Sequence, residues 1–160
     1  MKSKNPKAAL AFGALLLLGG FATQASAITN QPILQDSDVE KIVDAAKKSM
    51  DAHHTRGCIA VADADGQLLF LQRQEGADPD CTDSVIGKVT TAAKFRMATG
   101  DFYKQLNAHQ DVMLAVPGLT PLPGGEPIHH AGQVIGAVAV STPDGDLDLK
   151  VIADAVAVIK

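Results

Sequence analysis

The side chains best suited to chemistry in this 160-residue chain are five imidazoles, His53, His54, His109, His129 and His130. A neutral imidazole binds transition metals readily and titrates near neutral pH, so each is a candidate ligand. Their pairing limits them. Adjacent residues point to opposite faces of a strand, and on a helix they are splayed by about 100°, so at most one of each His-His pair can face a given pocket. A histidine at a helix end or in a loop is also commonly solvated.

Other chemistries are weaker. Cys58 and Cys81 are too few for a common structural zinc site. Met50, Met97 and Met113 carry soft sulfur, although Met50 and Met97 at helical spacing suit a core. Lys88, Lys94 and Arg96 follow one another on one helix, where they either meet an anionic ligand or form a solvated face. The run Pro123-Gly124-Gly125-Glu126-Pro127 lacks the Lys-Ser/Thr ending of a phosphate loop. No G-x-S-x-G elbow or H-E-x-x-H helix occurs, and Asp63 and Asp65 suit a turn. Nothing here compels an enzyme.

Several elements must position these groups. Ser37 and Glu40 form an S-x-x-E pattern that starts a helix, and Val39, Ile42, Val43, Ala46 and Met50 make its apolar stripe. Gly57 ends it. Two β-like runs, residues 58–62 and 68–72, flank Asp65-Gly66, a strong hairpin signal. A second helix follows with Asp83 as its cap and Val85, Val89, Ala92, Ala93 and Arg96 along one side, broken at Gly100. Residues 101–108 read as a short third helix. Prolines and glycines from 117 to 125 forbid a long regular element, although residues 112–116 form a strand candidate. A second hairpin joins residues 127–130 and 134–141 around Ala131-Gly132, its second strand apolar enough to be central and covered on both faces. From about Asp144 a last helix shows Leu147, Val151, Ala155 and Val158. The predicted fold is α+β: an antiparallel sheet of about five strands, from hairpins, with helices packed on it.

The beginning of the chain reads differently. Lys2, Lys4 and Lys7 precede an apolar run from Ala8 to Phe21, and Ala25-Ser26-Ala27 follows. That order predicts a cleaved signal peptide over residues 1–27 and export to the periplasm or cell exterior. The run is too short and too rich in glycine for a stable membrane span. The remaining residues, 28–160, are one domain's worth. Three of the 14 basic residues lie in the leader, leaving 11 against 18 acids, or a net charge of −7. Such a surface repels nucleic acid. In an oxidising compartment Cys58 and Cys81 either pair, closing a loop worth roughly 3.5 kcal/mol in the chain-entropy model, or stay as buried thiols.

Three segments, taken together, resemble the GlcG/HbpS family, also described as haem-degrading or PduO-C-terminal-like proteins. They are Ile59-Ala60-Val61-Ala62-Asp63 with Gly66-Gln67-Leu68-Leu69 and Arg73; Gly87-Lys88-Val89-Thr90-Thr91-Ala92-Ala93-Lys94-Phe95; and the run from Pro117 to Ile128 followed by Gly132-Gln133-Val134-Ile135-Gly136-Ala137-Val138. The likeness spans residues 34–142. It departs at Val140-Ser141-Thr142-Pro143, where such proteins often read Val-Ser-Gly. The resemblance implies a homo-oligomer that binds haem, or one that sits beside cobalamin or glycolate metabolism.

Haem iron needs only one imidazole, and attachment is non-covalent because no Cys-x-x-Cys-His run exists. His53 lies three residues after Met50 and His54 four, while His109 lies three after Leu106, so these three are the expected ligands. His129 and His130 rank behind them. Arg73, Lys88, Gly124 and Gly125 complete the expected tetrapyrrole site. The alternatives are an enzyme that degrades haem or acts on a small organic acid, its carboxylate held by Arg73, Lys88 and the Gly124 loop, and a partner-binding domain with no ligand.

Overall fold

The computed structural model describes residues 32–159; the predicted leader, residues 1–27, lies outside them. The elements are α1 (Asp36–Ala52), β1 (Cys58–Asp63), β2 (Leu68–Arg73), α2 (Cys81–Phe95), α3 (Thr99–Asn107), a 3-10 turn (Asp111–Ala115), β3 (Gly125–His130), β4 (Gln133–Ser141) and α4 (Gly145–Val156). The strands form one antiparallel sheet in the order β2-β1-β4-β3.

The α+β expectation is met, with four strands rather than about five. Residues 112–116 coil into the 3-10 turn because their amides find local partners: Met113 N–H donates to Gln110 O at 3.2 Å and Val116 N–H to Met113 O at 3.0 Å. Only Met113 is buried there, while Val112 and Leu114 face solvent.

Both faces of the sheet are covered, by two chemically different cores. On one face Ile59, Val61, Val138 and Val140 meet Ile42, Val43, Ala46 and Met50 of α1 and Val151, Ile152 and Ala155 of α4. On the other, Cys58, Ala60, Ala62, Ala137 and Ala139 meet Val85, Val89, Ala92 and Ala93 of α2. Alternate residues of a strand face opposite ways, so the alternation of Ala with Val or Ile in β1 and β4 writes both surfaces at once. Small alanines let α2 lie close to the strands. As expected, β4 is central and buried on both faces.

Helix boundaries differ from the sequence expectation. The first cap is Gln35, whose N–H donates to the Asp38 carboxylate at 3.3 Å, so Ser37 and Glu40 lie inside α1. Helix α2 begins at Cys81, after Asp80, which leaves Asp83 in its first turn. Arg96 ends that helix in the left-handed region, φ 54°, and is exposed rather than on the buried side. Val158 lies beyond α4.

Cys58 and Cys81 form a disulfide with their Cα atoms 5.5 Å apart. It fastens the first residue of β1 to the first residue of α2.

Candidate ligand-binding site

The segment between the 3-10 turn and β3 is held against α2 by short polar contacts. Thr91 Oγ1 accepts from Thr120 N–H at 2.9 Å and donates to Gly118 O at 3.3 Å. Gly87 leaves room for Thr120, whose Oγ1 would lie 2.4 Å from a Cβ at that position. At the end of the segment Gly125 N–H donates to Thr99 Oγ1 at 2.8 Å, and Gly124 O accepts from Val140 N–H at 2.8 Å.

Beneath it lies a charge pair. Lys88 Nζ donates to Asp148 Oδ2 at 2.9 Å and to Pro123 O at 3.0 Å, while Asp148 Oδ1 accepts from Thr142 N–H at 2.8 Å. Both side chains are almost wholly enclosed, at 2% and 3% exposure. Burial pushes the Lys88 amine below its ordinary range and the Asp148 carboxyl above its own, and each charge opposes the other's shift. Lys88 was expected either on a ligand or on a solvated face; it is not on a solvated face but buried, with its ammonium held by Asp148 and Pro123 O. Gly124 and Gly125 are buried too. A Cβ on Gly124, at φ 102°, would sit 2.7 Å from Asp148 Cβ, and one on Gly125 would sit 2.8 Å from Lys88 O. These glycines serve close packing around the ion pair.

The remaining expected site residues lie apart from this pair. Arg73 ends β2, is exposed, and donates to Ala77 O at 3.1 Å. His53 caps α1 and His54 follows it at φ 53°; His109 stands in the same relation to α3 at φ 62°. At both helix ends the chain turns left-handed: Thr55 N–H bonds Met50 O, and Gln110 N–H bonds Gln105 O. That is the Schellman arrangement. It lifts all three histidines off the buried faces of their helices and leaves them exposed, so the inward continuation expected from Met50 and Leu106 does not occur. The sequence carried no glycine at either C-terminal position to announce the turn.

His130 is exposed as well, but it borders a groove. It ends β3 at a two-residue turn, Ala131 and Gly132, both with positive φ, a geometry that fits the sheet twist. The groove, of about 580 Å³, lies between the entry to α1 and the exit from α4. Pro32, Ile33, Ile135, Val158 and Ile159 give the groove apolar walls, and Asp38 and Lys41 line it as well. Lys41 Nζ lies 3.1 Å from Asp38 Oδ1. This ammonium and, next, the Gln35 N–H hold the Asp38 carboxyl below the usual range. Among the described residues no three His, Cys, Asp or Glu side chains converge to hold a metal ion. The groove offers a single imidazole beside an apolar wall and the partly exposed Lys41–Asp38 ion pair. The position of His130 next to a turn was visible in the sequence; the convergence of residues 32–33, 135 and 158–159 on it was not.

The family model described as "Haem degrading protein HbpS-like" matches residues 34–157. The chain belongs to the HbpS-like family. Protein GlcG of Escherichia coli strain K12 is 34% identical over 109 residues, covering 68% of this chain and 81% of GlcG. Among solved structures, HbpS superposes with a TM-score of 0.77 at 27% identity, over 87% of this chain and 99% of that one. A PduOC:haem complex superposes at 0.75, with 19% identity over 81% and 96% of the two chains, a likeness of fold. Membership of this HbpS-like family bears out the expected resemblance over nearly all of the described residues.

Proposed function

We propose that this HbpS-like protein is an exported haem-binding protein that holds the tetrapyrrole non-covalently in the groove at His130. The observation that carries the reading is the groove itself, whose volume falls in the range of small-molecule sites. Apolar walls suit the porphyrin face, His130 supplies an imidazole for iron, and Lys41 supplies a cation for a propionate. Bound haem would bring redox and oxygen chemistry; the chain's part is to seat it and limit water. Kinship with HbpS, and a shared fold with a protein solved as a haem complex, support the ligand class. His53, His54 and His109 are the surface alternatives as ligand, acting where a second molecule covers them.

Five single His→Ala variants titrated with hemin test this. His130→Ala should shift or abolish the Soret band, and a variant of a non-ligand histidine should leave it unchanged. Five unaltered spectra would reject histidine ligation. The family's haem-degrading description favours a second reading, turnover of the bound haem. It requires that the Soret band decay when reductant and oxygen are supplied together, and a stable band leaves binding alone.

Export rests on the basic start, the apolar run and Ala25-Ser26-Ala27, and the Cys58–Cys81 disulfide suits an oxidising compartment. Among the described residues no helix is long and apolar enough to cross a membrane. Mass spectrometry of protein from the periplasm or medium should find Ile28 first, and a species retaining Met1 refutes the leader. We also propose self-association, on the strength of the apolar surface described next.

A further inference from the structure

Strand β2 is one edge of the sheet, protected by a bulge at Leu69, opposite Val61 and Ala62, and by the Lys47 ammonium 5.9 Å from the centre of the Phe70 ring. Its sequence, Leu-Leu-Phe-Leu-Gln-Arg, has no proline or lysine and no charge before Arg73. Leu68, Leu69 and Leu71 are 43%, 48% and 40% exposed. The opposite edge contrasts with it: β3 carries Pro127 and is packed by α2, α3 and α4.

Both faces of β2 are apolar. Leu71 pairs with Ala60, which belongs to the α2 core, and Phe70 pairs with Val61, which belongs to the α1 core. Leu71 therefore extends one core surface beyond the helix that covers it, and Phe70 extends the other. Two hollows flank the strand. One, of about 310 Å³, lies between Phe70 and the α1 residues Val39, Val43 and Lys47, and the other, of about 270 Å³, is lined by Leu69, Ile33, Ile135 and Asp65.

We infer that β2 is a self-association surface on which a second copy of this chain adds its own β2, antiparallel, about a two-fold axis. This deepens the self-association proposed above by naming its surface. An antiparallel partner is favoured by charge. Exposed Arg73 stands at one end of the strand and exposed Asp65 in the turn at the other, so reversal brings each guanidinium toward the partner's carboxylate. A two-fold makes both contacts at once. A protein partner offering a strand of its own would have to match the same two-faced apolar pattern, which a second β2 does by identity.

The experiment is light scattering on the secreted protein at micromolar concentration, with amide exchange followed across β2. Wild type should show a mass at least twice that of one chain, and its β2 amides should exchange more slowly as concentration rises. Leu69→Lys with Leu71→Lys should lower the mass at least twofold with the helical circular dichroism intact, while Val112→Lys with Leu114→Lys, on the exposed 3-10 turn, keeps it. A wild-type mass of one chain overturns self-association altogether. An oligomer whose β2 amides exchange at the same rate at every concentration, or whose mass survives the β2 substitutions, overturns this surface and leaves self-association standing; the amide measurement needs no variant to fold.

Discussion

Lys88 on α2 and Asp148 on α4 meet at 2.9 Å although their helices pack on opposite faces of the sheet. The contact passes beside the start of β3, where Pro123 O takes a second ammonium hydrogen. It ties the two helical layers and the glycine-rich segment at one point. Removing one partner leaves a buried charge with no counter-ion, so Asp148→Ala should cost about 3–5 kcal/mol of unfolding free energy. The double variant Lys88→Met with Asp148→Leu should lose far less. Urea melts of the three proteins check this, and equal losses would show that the charge pairing is not what matters.

The glycines of the same segment separate strain from crowding. Gly124 has φ 102° and no room for a Cβ, whereas Gly118 has φ 74° and nothing within 4 Å. Gly118→Ala should cost about 1–2 kcal/mol, the backbone penalty alone. Gly124→Ala should cost about 3 kcal/mol or more, because the new methyl strikes Asp148 Cβ and Val140 O. Thermal melts should rank them in that order.

His54 and His109 occupy left-handed positions that glycine fills without a steric penalty. His54→Gly and His109→Gly should each stabilise the protein by about 0.5–1 kcal/mol. The same two variants separate structure from ligation: a rise in Tm with an unchanged hemin spectrum assigns the residue to the surface.

Glu126 on β3 is half-buried, and burial, followed by the nearby Asp101 charge, raises its carboxyl above the ordinary value; His129 and Lys104 pull the other way. The folded state therefore holds this proton more tightly than the unfolded chain does. Stability contributed at Glu126 is full below its unfolded value and declines as pH rises through the raised one. Glu126→Gln should remove that slope and raise the urea midpoint at neutral pH. Midpoints measured from about pH 4 to about pH 7 decide it, and a variant with the wild-type slope would place the titration elsewhere.

Local pattern determined much of this protein. The alternation of Ala with Val or Ile over residues 58–62 and 134–141 dictated two strands with two different faces, and Asp65-Gly66 and Ala131-Gly132 dictated the hairpins, because both signals act between near neighbours. The three segments, residues 59–73, 87–95 and 117–138, were together enough to indicate the family. What depended on distant partners could not be read in the same way. Lys88 looked like a surface or ligand-binding cation until Asp148, 60 residues away, was placed beside it. His53, His54 and His109 followed apolar stripes by number, yet the helices stop and reverse before reaching them, a matter of which carbonyls are free at each end. His130 gained its standing from residues 32–33, 135 and 158–159, brought together only when the sheet and the two helices of one face had packed. Periodicity is a property of neighbours in the chain; a groove or a buried counter-ion is a property of neighbours in space, and the packing of α1, α2 and α4 on the sheet decided those.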